Sequence, residues 1–449
     1  MDLFGTAGIR GPVTDTVTPA LALRVGAAAG ADGGEFAIGR DGRTSSEGLA
    51  DALAAGLIGA GAAVRRVGVV PTPALAFASR GRRGAMITAS HNPPGDNGIK
   101  LFADGVEYDR ERESALEARI DADPDIADWP DWGGGESAAV LRDYRRAVFD
   151  YAAGHGADPD GLAVAVDCGT GTAGLATPEI LTTLGARVHA LNANVDGHFP
   201  ARDSKPTAAS LTDLRAYVAE SDAAMGLGHD GDGDRLVVVD DAGAVVHEDT
   251  ILAVLAHHYV RRSDAEDPVV VTTPNASGRI DERVESAGGR VERVRLGALH
   301  EGIADVRSSA GPETAVVFAA EPWKHLHPAF GGWIDAVASA AVLTRLVAAD
   351  GLDALVGPVT ARPYRKVSVD CPDARKEAAM GALDSTLPDA FPDASVDRRH
   401  GIRLDLGGGD WVLVRPSGTE PKLRIYAESD DVEKLVSAVS ALVESAVED

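Results

Sequence analysis

Short apolar runs separated by polar turns recur along the chain, and their order predicts strand and helix in alternation. Thr18 before Pro19 reads as a helix cap with proline in the first turn, opening an apolar segment that stops near Gly30. Residues 35–41 (EFAIGRD) read as a strand. Ser45 or Ser46 starts a helix that runs to Gly59-Ala60-Gly61, and residues 64–70 and 84–88 are further strands. Such alternation is the mark of a mostly parallel sheet.

A weak internal repeat extends this pattern. Gly61, Gly185 and Gly288-Gly289 each sit where a helix should stop and a strand begin, followed by Val64, Val188 and Val291, 124 and 103 residues apart. A glycine just past a helix end takes positive φ at little cost. A strand is expected ahead of the second copy at residues 162–167 and ahead of the third at 269–272, which implies three related α/β units. After residue 360 the pattern changes. Strands at 364–370, 401–406 and 410–414, a turn at Gly407-Gly408-Gly409, and helices near 373–385 and 431–447 predict a smaller α+β domain. Residues 121–136, 247–250 and 351–362 read as linkers, giving expected domains at 1–150, 151–249, 250–357 and 358–449.

Composition narrows the class. Hydrophobic residues make up 45% of the 449 residues and aromatics only 5%, so alanine, valine, leucine and glycine must fill the cores. The net charge is −26, and only 7 of the 43 basic residues are lysine. Nucleic-acid binding needs a basic face, and none is visible. The acidic residues are spread along the whole chain. A spread acidic, lysine-poor surface fits work in concentrated salt, where at ~1 M the screening length is roughly 3 Å. An ordinary acidic protein of low-salt cytosol is the other reading. No apolar run is long enough for a spanning helix, and the first residues carry no basic or apolar leader pattern. Two cysteines, Cys168 and Cys371, suit a reducing compartment, so a cytoplasmic protein without membrane partners is expected.

Three segments carry chemistry. Thr88-Ala89-Ser90-His91-Asn92-Pro93-Pro94 follows a strand, placing a serine where α/β sheets put their ligands, with Lys100 close behind. The same residues could form only a side-chain-capped turn. Asp230-Gly231-Asp232-Gly233-Asp234-Arg235 alternates carboxylates with glycine, a compact oxygen cage for Mg²⁺ or Ca²⁺. A calcium-loop reading fails because Arg235 stands where glycine is needed and a strand follows. Arg415-Pro416-Ser417-Gly418-Thr419, with Arg424 behind it, offers hydroxyls, exposed backbone and arginines to a phosphate. Gly169, Gly171 and Gly174 match a dinucleotide fingerprint, but the acidic ribose partner about 20 residues on is missing, so a tight strand-to-helix turn is the better reading.

Together with Phe4-Gly5-Thr6-Ala7-Gly8-Ile9-Arg10-Gly11, these segments resemble the α-D-phosphohexomutase family of archaeal type over nearly the whole chain. The resemblance implies three α/β mixed-sheet domains and a smaller C-terminal α+β domain around a central cleft. It implies a phosphosugar mutase in which Ser90 carries phosphate and Asp230, Asp232 and Asp234 hold Mg²⁺ with an oxygen of that phosphate. Arg10 and Lys100 would assist proton transfer at the sugar hydroxyl, with His91 and Arg235 supporting the site. Arg415, Ser417, Gly418, Thr419 and Arg424 would grip the substrate's second phosphate, and a sugar bisphosphate would be primer and intermediate.

One stretch departs from the family. Where a Gly-Glu-x-Ser-Gly loop is usual, this chain has Ala320-Glu321-Pro322-Trp323-Lys324-His325. Glu321 is expected on the sugar hydroxyls, with Lys324 and His325 beside it as substrate-binding residues, and Trp323 should narrow the sugar space or stack on the ring. His325 and His327 have metal-ligand spacing but no visible third ligand. His300 could stand in for a histidine that some members carry after Gly297. The expected substrate is a glucose, glucosamine or mannose phosphate, with a pentose phosphate as the alternative. A non-catalytic phosphosugar sensor and a phosphatase are the rival functions.

Overall fold

The computed structural model describes residues 3–5, 8–417 and 420–448. They fall into two compact units, residues 1–251 with 318–356 and residues 252–317 with 357–449. The first unit opens with β1 (Ile9–Pro12), α1 (Pro19–Gly30), β2 (Glu35–Arg40), α2 (Ser46–Gly59), β3 (Ala63–Val69), α3 (Thr72–Ala78), β4 (Arg83–Ile87), β5 (Asp96–Ala103), β6 (Val106–Glu107), α4 (Arg110–Asp121) and β7 (Gly135–Ser137). Thr18 caps α1 by accepting from the Leu21 amide, as its position before Pro19 predicts. The sheet runs β1-β5-β4-β2-β3-β7, with β6 beside β5. Strands β4, β2 and β3 are parallel, while β5 is antiparallel to both β4 and β1. Phe36, Leu49, Leu53, Leu57, Ile87 and Ile99 form its core.

After α5 (Leu141–Ala153) come β8 (Ala163–Asp167), α6 (Thr177–Thr183), β9 (Arg187–Leu191), α7 (Thr212–Glu220), β10 (Met225–His229), β11 (Leu236–Val239) and β12 (Val245–Val246). They form a second mixed sheet in the order β12-β11-β10-β8-β9. Next are α8 (Glu248–Arg262), β13 (Asp267–Thr272), α9 (Gly278–Ser286), β14 (Arg290–Arg293), α10 (Leu299–Ser309), β15 (Thr314–Glu321) and β16 (Lys324–Leu326), then α11 (Ala336–Asp350) and α12 (Leu352–Val356). The C-terminal part, β17 (Tyr364–Asp370), α13 (Asp373–Ala390), β18 (Ser395–Asp397), β19 (Ile402–Gly407), β20 (Asp410–Pro416), β21 (Lys422–Glu428) and α14 (Val432–Glu448), is an antiparallel sheet β17-β21-β20-β19-β18 with two helices. The molecule is mixed α/β with several mixed sheets, as the pattern of strands and helices predicts.

The repeat has a physical counterpart. Gly61, Gly185 and Gly288 follow the ends of α2, α6 and α9 with φ of 95°, 110° and 91°. Each leads into a strand parallel to the one before the helix: β2 with β3, β8 with β9, β13 with β14. Three strand–helix–strand turns thus end their helices by the same device.

Some expectations needed correction. Residues 121–136 are not a bare linker, since they end in β7, which pairs with β3 at the sheet edge. Residues 247–250 open α8, whose first turn carries Glu248 and Asp249, favourable at a helix N-terminus. Strands β18 and β21 were not anticipated: β18 is only three residues long, and β21 opens with Lys422 and Arg424 among its apolar positions. Among the described residues no helix is long and apolar enough to cross a membrane.

Candidate active site

Strand β4 delivers the chain to Ser90, whose φ of 51° lies in the left-handed region. That conformation turns the side chain towards the loop after β10. Ser90 Oγ donates to Asp230 Oδ2 at 2.6 Å and lies 3.4 Å from Asp234 Oδ1 and from His91 Nδ1. Its amide donates to Thr88 Oγ1 at 2.9 Å. The serine is fully buried in this arrangement.

Ligand atoms of Asp230, Asp232 and Asp234 lie within 4.8 Å of one another, and all three residues are buried. Asp230 Oδ1 accepts the amides of Asp234 and Arg235, which closes the loop on itself. Asp232 Oδ1 is buried with no hydrogen-bond partner among the described residues. Burial, with the charges of Asp234 and Asp232, pushes Asp230 well above the usual carboxylate range. Burial also opposes ionisation of Asp234, but Lys100, Lys324 and Arg235 outweigh it and hold that carboxyl well below the range. A compact, all-oxygen cage with an orphaned acceptor fits a hard divalent cation.

The cations around this cage come from several elements. Lys100, on β5, is buried and donates to Asp234 Oδ2 at 2.8 Å, with Asp232 at 3.5 Å. Burial disfavours its charge, yet Asp234, Asp232 and Glu107 together raise it above the usual lysine range. Arg10, on β1, stands opposite Gly98 of β5, and its buried Nε has no partner among the described residues. Arg235 Nε lies 3.9 Å from both Asp230 and Asp234. His91 is held at about 3, first by burial and then by Arg235 and Arg10, with Lys324 adding to them and Asp234 opposing. Its imidazole is therefore neutral near pH 7. The structure brings Ser90, His91, Lys100, Arg10, the three aspartates, Arg235 and Lys324 to one place.

The departing stretch is a tight hairpin in which Glu321 pairs with Lys324 across Pro322-Trp323. Trp323 has φ of 66°, a position that favours glycine or asparagine. Its carbonyl accepts the Leu236 amide at 3.0 Å, and its ring packs against the cluster containing Leu211, Leu214 and Val237, 6.0 Å from the Arg235 guanidinium. Trp323 thus anchors the hairpin to β11. His325, expected on the substrate, is instead turned inward: it is 1% exposed, and its Nδ1 sits 3.0 Å from Ser339 Oγ. His327 Nε2 meets the same hydroxyl at 2.8 Å, so both histidines belong to the interior.

In the second unit, Arg415 and Arg424 stand directly opposite each other on β20 and β21. Facing like charges are unfavourable unless an anion joins them. Arg415 donates to the Tyr426 hydroxyl and Arg424 to Glu420, yet the buried Nε of each has no partner among the described residues. Ser417 is buried, its carbonyl taken by Lys376. Gly418 and Thr419 lie outside the described residues.

Several supporting residues were not anticipated. Thr72, at the start of α3, donates its hydroxyl to Asp232 Oδ2 at 2.6 Å and its amide to the Asp232 carbonyl. His229 bonds the Arg235 carbonyl through Nδ1 and Thr177 through Nε2, fixing the loop's far end. The glycine-rich turn after β8 buttresses the aspartate loop, with the Thr172 amide on the Gly231 carbonyl. A Cβ on Gly171 would stand 2.7 Å from that carbonyl, so this glycine answers to packing rather than to a dinucleotide. Arg43 and Asp41, just past β2, hold the serine loop. Their place at the carboxyl end of a parallel strand was the available signal.

Family models of phosphoglucomutase/phosphomannomutase match the chain at residues 1–126 (alpha/beta/alpha domain I), 146–243 (alpha/beta/alpha domain II) and 367–445 (C-terminal domain). The "Phosphopentomutase" of Thermococcus kodakarensis is 39% identical, covering 99% of both chains. A "Probable phosphoglucosamine mutase" of Methanopyrus kandleri is 38% identical, covering 96% of this chain and 94% of that one. The fold also matches a phosphoglucomutase/phosphomannomutase family protein of Burkholderia thailandensis, with TM-score 0.86, 24% identity and coverage of 98% and 97%. It matches N-acetylphosphoglucosamine mutase of Aspergillus fumigatus, solved with GlcNAc-6P and magnesium, at TM-score 0.60, 16% identity and coverage of 99% and 96%. The chain belongs to the α-D-phosphohexomutase family, in its archaeal type, and is a phosphosugar mutase of the isomerase class.

Proposed function

We propose that this mutase moves a phosphoryl group between the 1- and 6-hydroxyls of a hexose or hexosamine phosphate, by way of phosphorylated Ser90 and a sugar bisphosphate. The observation that carries this reading is the Ser90 hydroxyl 2.6 Å from Asp230 at the mouth of a three-carboxylate cage. In the first transfer the P–O bond to Ser90 Oγ breaks as one to a sugar hydroxyl forms, and the hydroxyl's proton passes, with Arg10, Lys100 and His91 alongside, to the freed Ser90 Oγ. The bisphosphate then presents its other phosphate, and Ser90 takes it back. Phosphoryl transfer rests on positioning and cations around three equatorial oxygens, a charge that Lys100, Arg235, Arg10 and Lys324 would supply. Asp230, Asp232 and Asp234 would hold Mg²⁺, whose charge when bound polarises the phosphate. The Aspergillus relative solved with magnesium supports that choice of ion. Arg415, Arg424, Ser417, Gly418 and Thr419 would take the second phosphate, and Glu321 the sugar hydroxyls, in a chain of four domains bounded at 1–150, 151–249, 250–357 and 358–449. Two buried, unpaired cysteines favour a cytoplasmic setting.

A pentose phosphate is the second reading, favoured by the Thermococcus relative and by the altered Glu321–Lys324 hairpin. The test is kcat/KM on glucose, glucosamine, mannose and ribose 1-phosphates with bisphosphate primer, followed by phosphorus NMR. Isomerised hexose phosphate supports the first reading and isomerised ribose phosphate the second. Free inorganic phosphate indicates a phosphatase, and binding without turnover a sensor. The same panel on Trp323→Ser/Lys324→Gly shows whether the hairpin selects the sugar: an unchanged ranking removes it from that role.

A further inference from the structure

Arg43 lies just after β2, far in sequence from the aspartate loop, and is 1% exposed. All five of its guanidinium N–H donors are used. Nε donates to Asp41 Oδ2 at 3.0 Å. Nη1 donates to the carbonyls of Pro93 at 2.5 Å and Asp96 at 3.0 Å, and Nη2 to those of Ser90 at 2.9 Å and Asn92 at 2.8 Å. Four carbonyls within seven residues therefore converge on one planar group. Asp41 completes the frame: it also accepts the Ser46 and Thr88 hydroxyls, and Thr88 Oγ1 accepts the Ser90 amide. Both peptide groups flanking the Ser90 Cα are thus tied to the Asp41–Arg43 pair. The guanidinium also lies over the Phe199 ring, 5.0 Å from its centroid. Phe199 also abuts Gly231, where an added Cβ would stand 3.0 Å from the ring and 2.7 Å from the Ser90 carbonyl.

We propose that Arg43 is a positioning residue for phosphoryl transfer: through four carbonyls of the serine loop and the Phe199 ring against Gly231, it sets the distance between Ser90 Oγ and the carboxylate cage. Arg43 touches neither the reacting atoms nor the carboxylates of the cage. Its guanidinium fork matches this set of acceptors, and a lysine ammonium, with three donors and no plane, cannot span them. A misplacement of about 1 Å at a reacting group costs on the order of a hundredfold in rate. The loss belongs in kcat rather than KM, because sugar binding does not use the residues Arg43 holds.

The inference rests on Ser90 being the phosphoryl carrier, and the experiment separates the two claims. The parent, Arg43→Lys, Arg43→Ala and the double variant Asp41→Asn/Arg43→Met are assayed for kcat, KM and phosphate on the Ser90 peptide after incubation with glucose 1,6-bisphosphate. The double variant removes the buried charge pair together, so it reports on a folded protein if Arg43→Ala does not fold. The expected result is a fall of about a hundredfold in kcat for every variant, including Arg43→Lys, with KM within about threefold. Millimolar guanidinium should restore Arg43→Ala at least tenfold, with equimolar urea as the inactive control. Folded variants that keep kcat within threefold, or that lose only KM, overturn the role of Arg43. So does a folded Arg43→Ala that guanidinium leaves unimproved. A parent that takes no phosphate on Ser90 overturns the carrier reading itself, and the Arg43 proposal with it.

Discussion

A serine at φ 51° is held in a conformation that costs a side-chain-bearing residue about 1–2 kcal/mol. The surrounding loop maintains it, and the gain is a hydroxyl aimed at Asp230. Ser90→Ala should therefore fold and lose several orders of magnitude of mutase activity, with the phosphate gone from the peptide containing residues 88–100. Ser90→Gly, which removes the conformational cost, should melt no lower than Ser90→Ala and be equally inactive. An active Ser90→Ala would end the phosphoserine mechanism. Elsewhere a single hydroxyl fixes two tautomers. Ser339 donates to the Asp335 carbonyl, so it can only accept from His325 Nδ1 and His327 Nε2. Burial holds His325 at about 3 and His229 at about 4. A folded pKa below the unfolded value of about 6.5 gives stability that is present above that pH and lost as pH falls towards the folded value. Burial also raises Asp335 to about 6, which acts in the opposite sense between about pH 4 and 6. His91, also held low, adds to these histidines, and Glu113, raised to about 7 by burial, adds to Asp335, so the share of His325 is read as a difference. The stability that His325→Asn loses relative to the parent should shrink as pH drops below about 6.5, and a loss independent of pH would mean the histidine is not buried neutral.

At the scale of loops and strands, the site is two turns pressed together at the carboxyl ends of β4 and β10. Gly231 permits the contact, since a Cβ there would stand 2.7 Å from the Ser90 carbonyl. Gly231→Ala should push the aspartate loop from the serine loop, lowering kcat about a hundredfold while melting within a few degrees of the parent. A fully active Gly231→Ala would show that the loops have slack. Local chemistry made much of this legible. The Thr18-Pro19 start of α1 and the glycines ending α2, α6 and α9 follow from the conformational preferences of single residues, and the structure has them as expected. The hairpin of β15 and β16 was not legible. Its Pro322-Trp323 turn puts a tryptophan where glycine or asparagine is favoured, and only the apolar cluster beside β11 explains why the ring is there.

Over the whole molecule, 69 acidic residues oppose 43 basic ones. Many arginines are consumed in ion pairs, such as Arg119 with Asp32 and Arg293 with Asp281, yet the excess of negative charge is a property of the entire chain. Self-repulsion of that size should be relieved by screening, so melting temperature should rise as KCl goes from low to molar concentration. A curve indifferent to salt would show that this self-repulsion contributes little to stability.

The sequence by itself determined the strand–helix–strand turns around α2, α6 and α9, the serine and aspartate loops and the arginine pair before and after residues 418–419, because each depends on residues near one another in the chain. It could not determine what those loops rest on. Thr72 reaches Asp232 across 160 residues, Arg43 reaches the serine loop across about fifty, and Ser90 meets Asp230 across 140. Such contacts leave no periodic trace, since a threonine, an arginine or a histidine is used once and from a distance. Only tertiary structure separates His325, whose imidazole is neutral and interior, from Lys324 beside it, whose charge reaches His91 and Asp234. The alternation of a β-strand sends neighbouring side chains to opposite faces, and which face meets the site is decided by packing.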